Sequence, residues 1–244
     1  MNTEESNSVR VTTLVDNEVW KKGLASAWGL SLYVEMDVKR ERHVILMDTS
    51  GSFETFSKNV LQLDVDLSAV EAIFITHWHG DHCGSLSHVL PLLKHSTPVY
   101  VPSKSSVGIR EIKEAGGIPR VCSESVGLME GAMSTGDLGG EHSLFMNVKG
   151  KGLVVLAGCS HPGIINIVKR ARRVSGVSKV CAVIGGFHIS GVYEGKRVGG
   201  FFDEIDVALV SPCHCTGAEA KNSIGNVMGA RCVRNGAGRI FLFE

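Results

Sequence analysis

The chain has 244 residues, 43% of them hydrophobic and 20% charged, which excludes a disordered polymer and suffices to bury a large core without disulfide staples. Lys+Arg and Asp+Glu number 25 each, so net charge is zero with histidine neutral, and the basic footprint of a general nucleic-acid or membrane-surface binder is missing. Glycine is high at 29 residues, so turns and tight loops occupy much of the chain.

Met1–Ser8 is polar and acidic, without the basic and apolar stretches of a signal peptide, and reads as a flexible tail before a single domain spanning 9–244. The seven cysteines are odd in number and follow no secretory leader, which points to reduced thiols and a cytoplasmic protein. The apolar runs Gly152–Gly158 and Val180–Phe187 are far short of the roughly 20 residues a bilayer span needs.

In chain order, Val9–Val15, Ser31–Met36 and His43–Met47 read as strands. Phe53–Leu63 carries Phe53, Phe56, Val60 and Leu63 at helical spacing. Ala72–Thr76 is a short buried strand, and Ser85–Leu93 a helix that Pro91 should kink or end. A strand at Val99–Val101 and a helix at Lys104–Ala115 follow, then strands at Arg120–Cys122, Ser143–Val148 and Leu153–Ala157. Ile164–Val174 is helical, Lys179–Ile184 and Val207–Val210 are strands, Ala218–Met228 is a helix, and Arg239–Phe243 closes the chain as a strand. Strands and helices so intermixed predict a layered α/β or α+β architecture.

Four apolar strands each run into a loop carrying histidine: EAIFIT into HWHGDH, LVVLAG into CSH, CAVIGG into FH, and VALVSP into CHC. These loops hold six of the ten histidines: His77, His79, His82, His161, His188 and His214. Ligand sites in α/β sheets lie beyond the carboxyl ends of strands, so the four loops are expected to converge on one edge. HWHGDH packs four metal-type donors into six residues, too close for all to reach one ion. A natural split gives His77 and His79 to one metal and Asp81 and His82 to a second, with Gly80 allowing the turn between them.

HxHxDH after a buried strand resembles the motif of the metallo-β-lactamase superfamily, whose fold is a four-layer αββα sandwich with metals at one edge. The ordered series LVDN at 14–17, WGLSLYVE at 28–35, MDTS at 47–50, GCSHPGIIN at 158–166, GGFH at 185–188 and PCHCTG at 212–217 is similar to a narrower branch. That branch is the group resembling 7,8-dihydropterin-6-methyl-4-(β-D-ribofuranosyl)aminobenzene-5′-phosphate synthase, described as dihydropteroate-synthase-like. The resemblance implies one or two divalent metals, zinc first with manganese or iron as alternatives. It puts His77 and His79 on the first metal, and Asp81, His82 and His214 on the second. Cys159 stands where a metal-bridging Asp is usual, and the ligand that completes the first metal site is His161, Cys159 or His142, with His161 favoured. Loss of the bridging carboxylate is expected to weaken the second site. Asp48 is implied to orient the HxHxDH loop by hydrogen bonds, its alternative being a cap for the helix at Phe53.

His188 is expected to contact substrate or transfer a proton, with Asp81 as a further catalytic candidate. Asn17 is expected to face the pocket or shape a turn, and Trp78 to shape the pocket mouth and touch substrate. Cys83, Cys181 and Cys232 read as core fillers. Gly158–Gly163 could present a helix N-terminus to an anion, and Lys169, Arg170, Arg172 and Arg173 form a basic cluster read as a solvated face.

The functional expectation is a metal-dependent enzyme: a transferase joining an arylamine phosphate to a pterin methyl pyrophosphate, or a hydrolase of a phosphoester, lactone or thioester. A non-catalytic metal- or ligand-binding module is a third option. The expected partner is a small, phosphorylated substrate, with neither nucleic acid nor membrane. A nuclease is disfavoured by the zero net charge and by the lack of room for that branch's inserted domain.

Overall fold

The computed structural model describes residues 4–94 and 96–244. In chain order the elements are β1 (Glu5–Ser6), β2 (Ser8–Val15), β3 (Ser31–Val38), β4 (Glu41–Met47), α1 (Phe53–Leu63), β5 (Ala72–Phe74), α2 (Gly80–Cys83) and α3 (Leu86–Val89). Next come β6 (Pro98–Val101), α4 (Ser106–Glu114), β7 (Ile118–Val121), β8 (Val126–Met129), β9 (Ala132–Ser134), β10 (Leu144–Val148), β11 (Gly152–Ala157) and α5 (Ile164–Ser175). The chain closes with β12 (Val180–Gly186), α6 (Val192–Glu204), β13 (Leu209–Cys213), α7 (Ala218–Met228) and β14 (Ile240–Phe243).

The strands form two sheets. One runs β14-β2-β3-β4-β5-β6-β7, the other β13-β12-β11-β10-β9-β8 with β1 alongside β10. Alternation along the strands buries both faces of each sheet. Val34, Met36, Ile45, Met47 and Phe74 of the first sheet meet Leu144, Met146, Val154, Leu156, Ala182 and Ile184 of the second in one shared core. The residues between them point outward. Tyr33, Val44, Leu46 and Ile73 pack with Phe56, Val89 and Ile112 of the first sheet's helices. Phe145, Val155 and Val183 pack with Ile167, Val168, Phe202 and Ile224 of the second sheet's helices. The architecture is therefore the expected four-layer αββα sandwich. Double-sided burial explains why the central strands read as unbroken apolar runs rather than as alternating ones.

Local chemistry sets the element ends. Ser52 caps α1, its hydroxyl accepting from Thr55 N–H, and Asp64 ends it in the left-handed region at φ 54°. Asp48 therefore does not cap that helix. Pro91 lies in a 3₁₀ turn directly after α3, which ends at Val89, as a ring lacking an N–H requires.

Three sequence expectations change. Of the expected tail, Met1–Thr3 lie outside the described residues, but Glu5–Ser6 pairs with Asn147–Val148 as a parallel strand, Ser6 is fully buried, and Ser8 already belongs to β2. The strand expected at Val207–Val210 lies two to three residues later, at Leu209–Cys213, in parallel register with β12. Helix α6 is absent from the sequence reading because Gly195, Gly199 and Gly200 depress its helical propensity. The structure gives two of those glycines a purpose. A Cβ at Gly195 would stand 2.7 Å from Ala220 O and from Ser223 Cβ, and one at Gly199 would stand 3.1 Å from Val227 Cβ. Bare backbone on α6 is what lets α7 approach. Among the described residues no helix is long and apolar enough to cross a membrane.

Replacing Gly195 with Leu should force the two helices apart and cost about 1–3 kcal/mol, the range for overpacking a filled interface. Chemical denaturation checks this: an unchanged midpoint would show that α6 and α7 do not depend on the close approach.

Candidate metal centre

Strands β4 and β5 are parallel, as are β11, β12 and β13, so their carboxyl ends reach one rim. The residues that turn away there adopt unusual backbone. Asp48, Ser160, His188 and His214 follow β4, β11, β12 and β13 and all have positive φ, between 49° and 63°. Non-glycine residues in this region are uncommon and strained, and such strain clusters at functional sites.

Three groups of donors meet at the rim. His77, Cys159 and His161 place their ligand atoms within 4.8 Å of one another, as do His82, Cys159 and His214, and also Cys159, His188 and Cys215. The Cys159 sulfur is common to all three. His79 joins the first group, its Nδ1 3.1 Å from His77 Nε2. Asp81 joins the second, with Oδ2 3.3 Å from His214 Nε2 and 3.8 Å from His82 Nε2. His188 is exposed, its ring 4.6 Å from that of His161.

Supporting hydrogen bonds fix which ring nitrogens carry protons. His82 Nδ1 lies 2.7 Å from Asp48 Oδ2, and a carboxylate can only accept. Its Nε2 is therefore the lone-pair end, 3.1 Å from His214 Nε2 and 3.2 Å from Cys159 Sγ. Asp48 also accepts from the Thr76 amide and hydroxyl. With its proton spent on Asp48, Thr76 Oγ1 accepts from His77 Nδ1 at 3.0 Å, so the Nε2 of His77 is also bare. His214 donates from Nδ1 to Asn17 Oδ1 at 3.1 Å, and His161 from Nδ1 to Glu141 Oε2 at 2.7 Å. Four imidazoles thus turn unprotonated nitrogens toward one thiol and one another. Convergent lone pairs repel unless a cation lies among them, and imidazole, thiolate and carboxylate are the donor types of a zinc-class ion.

The electrostatics agree. Burial holds His77 far below the usual imidazole range and His214 down at about 3. Burial also opposes a charge on His82, but the Asp48 carboxylate beside it prevails and raises it. Burial pushes Asp48 up, against its three donors. Cys215 donates to the Cys159 carbonyl oxygen at 3.6 Å, and its thiol is lowered to about 6 by a hydrogen bond from Cys159, whose own thiol rises correspondingly.

Several expectations are corrected. His142 is not at the rim: it is fully buried, its Nε2 donates to Ile75 O at 2.9 Å, its Nδ1 accepts from Ser134, and its ring stacks on Phe74 at 3.9 Å. Both nitrogens are used, so it cannot be the further ligand. Trp78 does not shape the mouth. Alternation turns it away from His77 and His79, its Nε1 donates to Ser103 O, and its ring fills the space a Gly108 side chain would need. The Asn17 side chain is spent on His214, bonding its carbonyl and Nδ1, and on the Gly29 amide, so it does not face substrate.

Sequence reasoning missed three residues. Glu141 is buried and accepts from the Cys159, Ser160 and His161 amides and from the His161 ring. It holds the whole GCSH loop, and a lone acid before the apolar run of β10 was its signal. Asp16, ending LVDN, accepts from the His214 amide at 2.9 Å. Trp28 is 67% exposed with its ring 5.4 Å from that of His214, so the aromatic at the mouth is this one.

Such a sandwich with a donor-lined rim defines the metallo-β-lactamase fold. Residues 30–105 match the model of the metallo-beta-lactamase superfamily. Over its full length it is 24% identical to 7,8-dihydropterin-6-methyl-4-(beta-D-ribofuranosyl)-aminobenzene-5'-phosphate synthase of Methanocaldococcus jannaschii, covering 99% of that protein. Among solved structures it is similar to Tm1679, described as a metal-dependent hydrolase of the beta-lactamase superfamily, with TM-score 0.77, 23% identity, and coverage of 96% of this chain and 98% of that one. It is also similar to the metallo-beta-lactamase fold protein YhfI from Bacillus subtilis, with TM-score 0.62, 12% identity, and coverage of 97% and 100%.

Replacing Glu141 with Ala leaves three amides and a ring N–H without their acceptor. Zinc affinity, measured by competition with a chromogenic chelator, should fall about 10–100-fold. An unchanged affinity would mean that the GCSH loop does not depend on this carboxylate.

Proposed function

We propose that this protein is a metal-dependent enzyme that condenses an arylamine phosphate with a pterin methyl pyrophosphate, the amine nitrogen displacing pyrophosphate from the methyl carbon. One observation carries the reading: unprotonated imidazole nitrogens converge on Cys159 at a rim that opens to solvent through His79, His161 and His188. The full-length similarity to the archaeal synthase supports the substrate class.

In this reading His77, His79, His161 and Cys159 would hold one divalent ion, and Asp81, His82 and His214 would hold a second. Thiolate and imidazole donors favour zinc over harder ions. A bound ion would supply Lewis acidity toward the departing phosphate group. The chain's own residues do the rest. Asp48, Asn17 and Glu141 fix the imidazoles, so no reorientation is needed during reaction. His188, exposed beside His161, accepts the proton that the amine loses, and Asp81 is a second base at the rim, a carboxylate. Trp28 at the mouth offers a flat face to a heteroaromatic ring.

The test is a screen of the protein loaded with zinc, manganese or iron against the pyrophosphate–arylamine pair and against phosphoesters, lactones and thioesters. Pyrophosphate release that requires both condensation substrates is expected. Turnover of a single ester or lactone without the amine would make the protein a hydrolase instead, and inactivity of metal-replete protein on every class would leave a binding module.

His79→Ala and Asp81→Ala should each lower bound metal, read by elemental analysis, while circular dichroism stays unchanged. Wild-type metal content in both variants would refute the ligand set. Cys159 should resist alkylation until a chelator is added, and equal labelling rates with and without chelator would remove it from that set.

A further inference from the structure

Beyond the rim, a cleft of about 550 Å³ runs between α5 and α6, with His161 and His188 at its mouth. That volume suits a small-molecule ligand. Two cations line it from facing helices: Lys169 on α5 and Arg197 on α6. Neither forms an ion pair among the described residues, whereas Arg170, one residue on, bonds Thr135 O and pairs with Glu124. Lys169 Nζ rests 5.4 Å from the centroid of Phe201, which also lines the cleft. The two carboxylates in the lining are less available as partners. Glu194 faces the Ser190 and Gly191 amides at 3.4 Å, capping α6, and Glu204 sits at the far end of that helix.

We propose that this cleft seats the phosphate-bearing end of the substrate, with Lys169 and Arg197 as its anion contacts and Phe201 beside its apolar part. The proposal rests on the reading of the rim as the reaction centre and adds to it a direction. The reacting group meets His161 and His188, and the phosphate lies along α5 and α6, away from the metal ligands. The ligand chemistry is a phosphomonoester carried on an aryl or ribosyl group. A cleft with two cations, an aromatic wall and no dedicated carboxylate partner selects such an anion over a neutral analogue.

Isothermal titration of metal-loaded protein with phenyl phosphate and with ribose 5-phosphate tests it, with phenol and ribose as phosphate-free controls. Arg197→Gln and Lys169→Gln should each weaken both phosphorylated probes about tenfold, Arg197→Lys should recover part of the loss, and Arg172→Gln should change nothing. Metal content should stay at the wild-type level in all four variants, showing that the rim is intact. Probe affinity unchanged in Arg197→Gln and Lys169→Gln would place the phosphate on the metals and overturn the proposal, as would failure of wild type to bind either probe at millimolar concentration. Normal turnover with unaltered probe binding in the variants removes the cleft and keeps the enzyme. Weakened probe binding with no turnover of any substrate does the reverse.

Discussion

The structure depends on an electrostatic conflict set up on purpose by its hydrogen bonds. Left to themselves, the imidazoles of His82 and His214 would share a proton between nitrogens 3.1 Å apart. Asp48, Thr76, Asn17 and Glu141 prevent this by taking the Nδ1 protons outward, which leaves bare nitrogens facing inward. In a buried setting such a cluster is tolerable only around positive charge. His82 itself is raised by the Asp48 carboxylate that holds its Nδ1 proton, against the burial that opposes its charge. Everything outside the cluster can be understood as scaffolding that keeps the conflict from relaxing.

The scaffolding comes from the sheets. Parallel strands deliver their carboxyl ends to the same rim, and each end turns sharply at one left-handed residue. A backbone held in that region resists drift, since leaving it would move a histidine out of the cluster and unpair a buried amide. Gly158 and Gly186 contribute by closeness: a Cβ on Gly158 would stand 2.2 Å from Thr76 Oγ1, and one on Gly186 would stand 2.6 Å from Cys215 Sγ. The first approach joins the two sheets and the second joins neighbouring exits of one sheet, and each needs a missing side chain.

How much of this the sequence exposed follows from what each residue type advertises. The double-faced strands, the helices at Phe53 and Ala218 and the four histidine-bearing exits were legible, because apolar periodicity and a dense donor motif are strong signals. The grouping of His77 with His161, and of His82 with His214, needed the fold, since those pairs are 84 and 132 residues apart (161 − 77 and 214 − 82). Glu141 stayed hidden because its neighbour His142 carries the louder side chain. Only the structure reveals that His142 spends both nitrogens in the core while Glu141 reaches the loop. Trp78 and Trp28 exchanged places for a similar reason: proximity to the motif favoured the first, and strand geometry put the second at the mouth. Helix α6 was invisible because its glycines serve a neighbour rather than the helix itself.

Cys159 gives the centre its asymmetry. A bridging carboxylate has two oxygens to divide between ions, whereas a thiolate has one sulfur for both, which would loosen whichever ion is otherwise less well held. Sequence resemblance assigns that weakness to the ion beside Asp81, His82 and His214. Burial argues the reverse. His82 is fully buried and His214 4% exposed, and both are braced by carboxylate or amide partners, while His79 and His161 stand in the open. An ion held by the buried group would be walled off from water and from competing ligands. An ion held by His77, His79 and His161 would lie toward solvent, on the side of the α5–α6 cleft that His161 lines. Were such an ion bound with an open coordination position, a substrate oxygen would reach it from the cleft, so a thiol in place of a carboxylate would not by itself impair the centre.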